Sequence, residues 1–231
     1  MNLIGWSLYT AYRLRRHLWL GWSLARWLGL LILAASLAAI VHGWPHPWPA
    51  IPLGLLFLAY LILLAWAGRK GYVHFSPETH PGDLFQNRGS PPPLRTDQMV
   101  PVRATGWFTV EGRDQYYVDV EADFETVGTR EHIVLGRIHR SRFLLLGRWP
   151  GEELGWWYIF FQPAMIRHVA VGHLLCGPHP CLALQVVYKP DEETQQTVYL
   201  AFDEATILHQ VWDDLLLDAP RPVSASGNEP A

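Results

Sequence analysis

WLGWSLARWLGLLILAASLAAIVHGWPHPWPAIPLGLLFLAYLILLAWAGRKGY, running from Trp19 to Tyr72, sets the architecture of the chain. It holds two apolar segments back to back. Leu20 to Val41 carries one charge, Arg26, in 22 residues, and Ile51 to Ala67 carries none in 17. At a helical rise of about 1.5 Å per residue they reach roughly 33 and 25 Å, and the bilayer hydrocarbon is about 30 Å thick. The spacing predicts a two-helix transmembrane hairpin, with helix 1 over 18–42, an external loop over 43–48 and helix 2 over 49–68. Arg26 falls about two turns into the first segment, and its long side chain should snorkel back to the headgroups.

Charge is segregated around this hairpin. Residues 1–71 contain six Lys and Arg and no acid, whereas from Tyr72 onward twelve basic residues meet all 21 acids, so a net +6 is followed by −9. The loop from His42 to Ala50 has no Lys or Arg. By the positive-inside bias both termini are expected in the cytoplasm, with the chain in the plasma membrane. Trp19, Trp22, Trp44, Trp48 and Trp66 lie near the segment ends, where indole rings favour the headgroup layer. A cleaved signal peptide is the rival reading. Against it stand a long leader containing Trp and a second apolar run within ten residues. Ala34, Ala35, Ser36, Ala38 and Ala39 give small-xxx-small spacing, which suits close packing of a helix from the same hairpin or from a larger membrane complex. Residues 1–17 read as a cytoplasmic or interfacial N-terminus, a short helix with Leu3, Ile4, Leu8 and Tyr12 on one side.

Beyond the hairpin, 69–99 reads as a Pro-rich linker, since Pro77, Pro81, Pro91, Pro92 and Pro93 with Gly82 and Gly89 break both helix and sheet. It either tethers the following domain at a distance or folds back along it. From Val100 to Val110, and again from Gln115 to Val127, apolar and polar residues alternate, which is the mark of half-buried antiparallel strands. Glu111 to Asp114 supplies the turn, and aligned apolar faces set Arg103 opposite Asp123. Further strands are expected at His132–Ile138, Phe143–Leu146, Trp156–Phe161, Ile166–Leu174, Leu182–Tyr188 and Thr197–Phe202, with Gly147–Gly155 and Cys176–Cys181 as turns. The period then changes to that of a helix over Glu204–Leu217, with Asp203 as N-cap and Pro220 as stop. The domain spans 100–218, and 219–231 is a disordered tail by composition.

The runs WWYIFFQPAMIRHVAVG (156–172), LALQVVY (182–188) and TVYLAFDEATILHQVWDDLL (197–216), preceded by the hairpin, resemble bacterial membrane-flanked proteins with a pleckstrin-homology-like (PH-like) domain. The resemblance covers the anchor and about Ile159 to Leu217; the long strands from Val100 to Ile138 depart from it. It implies a mainly β (α+β) fold, a bent antiparallel sheet or barrel capped by a C-terminal helix. Eukaryotic members that bind phosphoinositides carry Lys and Arg around the first hairpin. Here that turn is Glu111, Gly112, Arg113, Asp114, so no such residues carry over.

Basic residues gather later, at Arg137, His139, Arg140, Arg142 and Arg148, with no acid between Ile138 and Trp149. These are the candidate contacts to an anionic membrane surface or an acidic partner, at about 1 kcal/mol per side chain near a charged bilayer; the alternative is a solvated loop paired with the acidic stripe from Asp119 to Glu125. That stripe itself spaces carboxylates about 7 Å apart along one strand, too far to share one metal ion unaided. His173, Cys176, His179 and Cys181 offer thiol and imidazole ligands within nine residues, a zinc pattern that a plain hairpin turn mimics. No phosphate-cradling loop, nucleophile elbow or HExxH motif occurs. The acidic domain argues against nucleic acid. The expectation is a membrane-bound, non-catalytic interaction module without cofactor, its partners the lipid bilayer and another protein. Rival readings are an accessory subunit of a membrane complex and a metal-dependent enzyme using the His/Cys cluster.

Overall fold

The computed structural model of the chain describes residues 3–43, 50–80, 94–95, 98–110, 112–127, 131–144, 147–175, 179–191 and 193–218. The expected external loop, most of the Pro-rich segment, Cys176 and the tail after Asp218 lie outside them. Helix α1 (Leu3–Arg16) is followed by a two-strand ribbon, β1 (Leu18–Trp19) and β2 (Trp22–Ser23), and by helices α2 (Leu24–Gly43) and α3 (Ala50–Lys70). Within α2 and α3, Leu24–His42 and Ile51–Arg69 are long and apolar enough to cross a membrane, and almost none of their surface is buried in the protein.

The first apolar segment is thus not helical from its start. Leu20 and Gly21 both adopt positive φ, at 52° and 81°, so the chain turns back on itself and Trp19 pairs with Trp22. Two successive positive-φ residues suit a tight hairpin and cannot continue a helix. Arg26 therefore sits in the first turn of α2, not two turns inside. Trp27 donates its Nε1–H to the Trp19 carbonyl at 2.9 Å and packs with Trp19 and Trp22. The helices meet where Gly29 of α2 lies against Phe57 and Tyr60 of α3, and Ala25, Ile32, Ser36 and Ala39 continue the partly covered side of α2. The Tyr60 hydroxyl donates to the Ala25 carbonyl at 2.5 Å. The small-residue patch is split by this contact, because Ala34, Ala35 and Ala38 stay exposed.

Strands β4 (Met99–Val110), β5 (Arg113–Val127), β6 (Glu131–Leu144) and β7 (Gly147–Phe161) form one antiparallel meander. A second comprises β8 (Ile166–Leu175), β9 (Pro180–Tyr188) and β10 (Gln196–Ala201). The two join through β4 and β10. Flat, three strand spacings separate β4 from β7 by roughly 14 Å, yet the Phe108 and Trp157 rings lie 4.0 Å apart. Phe161 of β7 also meets Tyr188 of β9 at 5.2 Å. The sheet is therefore strongly bent around its core. Helix α4 (Ala205–Asp218) closes this core with Leu208, Val211 and Leu215, all without solvent contact. Its first hydrogen bond runs from the Leu208 N–H to the Glu204 carbonyl. The cap position thus falls on Glu204, one residue after the expected Asp203.

Two expectations for this domain change. Gly147–Gly155 is strand, not turn; β6 and β7 continue past the ladder with β5, which ends at the Ala122–Gly136 pair, as a two-strand ribbon with bulges near His139 and Arg142. Arg103 stands opposite Glu121 rather than Asp123, because the turn is tighter than expected and pairs Val110 with Arg113; an extra residue in β5 between the Gly106–Tyr117 and Ala104–Val120 pairs then shifts the register by one. Asp119 fills that bulge at φ 61°; its N–H donates to Thr105 Oγ1 at 2.9 Å, and its carboxylate takes both Arg103 Nε–H and Nη2–H. Of the two paths open to the linker, its described start follows the second and lies along the domain. Gly71 turns at φ 83°, Tyr72 and Val73 are buried, and β3 (His74–Pro77) adds to the edge of β8.

Candidate functional site

Alternation along each strand divides the sheet into an inner face around α4 and an outer face. On the outer face, α1 together with the α3–β3 joint packs on residues of β5, β8, β9 and β10. Gly5, Leu8 and Ala11 of α1 are buried, and Leu8 and Ala11 share one apolar cluster with Ala67, Tyr72, Val118, Leu174, Ala183 and Ala201. Burial against this cluster pushes the Tyr12 phenol pKa up. Arg16 stacks over Tyr117 at 4.1 Å and donates to Gln115 Oε1 at 2.6 Å.

Over β6 and β7 the outer face has no such cover among the described residues. Trp157, Ile159 and Phe161 point into the core, which turns Trp156, Tyr158 and Phe160 outward. Trp156 is 53% and Tyr158 70% exposed. The ladder sets Ile133, Leu135 and Arg137 of β6 directly opposite Phe160, Tyr158 and Trp156. The Arg137 guanidinium lies 4.1 Å over the Trp156 ring. Beside this patch, Glu121, Asp123 and Glu125 of β5 form the outward side of the next strand, with Asp123 and Glu125 paired in register with Leu135 and Ile133. An exposed aromatic patch braced by an arginine and rimmed by carboxylates can bury apolar groups of a partner and meet its positive charges.

The basic residues distribute along the ribbon. Arg137 is exposed at its base; the side chains of His139, Arg140, Arg142 and Arg148 lie outside the described residues, while their backbone is in strand. Across the ladder His139 faces Glu153 and Arg140 faces Glu152, and Arg142 pairs in parallel with Leu18 of β1. The ribbon has left β5 by this point, so the Asp119–Glu125 stripe does not run alongside residues 139–148. Its far end instead lies beside the ribbon that starts α2. The described members of the His/Cys cluster, which exclude Cys176, do not converge: Cys181 is the register partner of Leu174 and His173 that of Leu182. Neighbours one step apart point to opposite faces. His173 Nδ1 is 3.8 Å from a Glu78 carboxylate oxygen, the Cys181 thiol donates to the Leu174 carbonyl, and His179 is exposed in the turn. Among the described residues no group of three His, Cys, Asp or Glu could share a metal ion.

The aromatic run at 156–161 reads from sequence as core and rim of the sheet together. Its strict alternation was the available signal that three of its rings face out. No protein-family model matches the chain, and no curated protein or solved structure is detectably similar to it.

Proposed function

We propose that the chain is a membrane-anchored, non-catalytic docking module. In this reading a plasma-membrane hairpin with both termini in the cytoplasm carries a PH-like domain of the kind that follows such anchors in bacterial proteins. The domain's outer face captures a basic, apolar segment of a protein partner. One observation carries the reading: the uncovered patch of Trp156, Tyr158 and Phe160 with Arg137, next to the Glu121, Asp123 and Glu125 stripe. Trp, Tyr and Arg dominate binding energy where they cluster, and the adjoining carboxylates set the sign of the charge that fits. The PH-like assignment is supported by two antiparallel meanders, a bent sheet and α4 plugging its inner face. The ribbon reaching β1 supports a further contact of Arg137, His139, Arg140, Arg142 and Arg148 with anionic headgroups.

A photo-reactive residue placed at Tyr158, crosslinked in native membranes and read by mass spectrometry, tests this. The expected product is one partner segment rich in apolar and basic residues, absent when the probe sits at exposed Glu193. Trp156→Ala should weaken capture about 30-fold, and charge reversal at Asp123 and Glu125 should abolish it. Equal yields at both probe positions, or capture unchanged by these substitutions, would remove the docking face.

A further inference from the structure

A second feature lies where α1, the β1–β2 ribbon, α2, α3 and the start of β5 meet. They enclose a groove of about 1120 Å³, at or above the roughly 300 to 1000 Å³ of ordinary small-molecule sites. Its two ends differ in character. At one end stand Arg15, Arg26 and Arg113; from there Leu30 and Leu33 of α2 and Phe57 of α3 continue it along the apolar helices. Arg26 to Leu33 spans roughly 10 Å of helix. No carboxylate lines the groove among the described residues. Arg15 is fixed by donating to the Tyr72 hydroxyl at 2.8 Å. That acceptor is neutral, so it orients the guanidinium and leaves its charge uncancelled. The groove is thus amphipathic, with positive charge concentrated at the level where α2 begins.

We infer that this groove binds one anionic phospholipid, its phosphate held among Arg15, Arg26 and Arg113 and an acyl chain laid along Leu30, Leu33 and Phe57. Basic pockets between membrane helices take anionic headgroups because guanidinium groups bond phosphate oxygens in pairs. A zwitterionic headgroup offers the same phosphate with its charge already neutralised, so the site discriminates by net charge. The inference shares only the membrane location with the docking reading.

Native mass spectrometry of the full chain, released from nanodiscs holding phosphatidylglycerol and phosphatidylcholine in equal amounts, provides the test. One phosphatidylglycerol should be retained per chain, favoured about tenfold or more over phosphatidylcholine. The Arg26→Gln, Arg113→Gln double variant should erase that preference. Leu33→Trp, which fills the apolar end, should lower retention with all charges intact. Millimolar inorganic phosphate should not displace the lipid. Equal retention of the two lipids by the unaltered chain, several lipids retained without a single preferred one, or displacement by phosphate alone would overturn the inference, and none of these needs a variant to fold. If the chain washed from membranes in alkaline carbonate, the shared premise would fail instead.

Discussion

Asp119 shows how one residue reorganises a strand. A non-glycine residue at positive φ costs roughly 1–2 kcal/mol, and the cost is offset by the paired hydrogen bonds to Arg103 and the bond to Thr105 Oγ1. Those bonds raise the Arg103 pKa further still, chiefly through the Asp119 carboxylate. Asp119→Ala keeps the backbone demand and removes the carboxylate, so thermal unfolding in detergent should show a loss of about 1–2 kcal/mol. Asp119→Gly loses the same ion pair but adopts the conformation freely, and should lose less. The reverse order would mean that the bulge does not persist. Sequence alternation does not reveal this bulge because both faces are apolar around it. Tyr117 enters the core on one side, while Val118 packs under α1 on the other.

At the scale of elements, α1 is the case where one apolar side divides between two surroundings. Leu3, Ile4, Leu8 and Tyr12 read as one membrane-facing side, yet Leu3 and Ile4 are exposed and Leu8 is 2% exposed against the sheet. The buried side is completed by Gly5 and Ala11, residues whose small size carries the contact and whose hydropathy announces nothing. Leu8→Ala should destabilise the domain by about 2–4 kcal/mol, measured by unfolding in detergent, whereas Ile4→Ala should change it by less than about 0.5 kcal/mol. Equal effects would place α1 off the sheet. Most strands were legible because a period of two survives wherever one face meets solvent. The β6–β7 ribbon was not: its Gly, Pro and charged residues at 147–155 resemble a turn, and only pairing in space identifies them as strand.

For the whole molecule, the two apolar helices and the β domain were readable from hydropathy and charge, since a membrane span leaves a long uniform signal. The joint between them was not readable. Tyr72 and Val73, in a stretch that looks like linker, are buried, and their neighbours pair with β8. If both termini face the cytoplasm, tags before Met1 and after Ala231 should both resist membrane-impermeant labelling in intact cells and both react after lysis. Labelling of either tag in intact cells would invert the orientation, and release of the protein by alkaline carbonate would remove the membrane assignment.

Because only Gly71 to Val73 separate the end of α3 from β3, and Leu8 and Ala11 of α1 pack into the same apolar cluster as Ala67, Tyr72 and Val73, the joint between helices and sheet is short and braced. Helices answer a change in bilayer thickness by tilting. If the pair crosses a bilayer, a lean of the helices would carry through this joint to the sheet, and lipid composition would set the angle at which Trp156 and Tyr158 are presented.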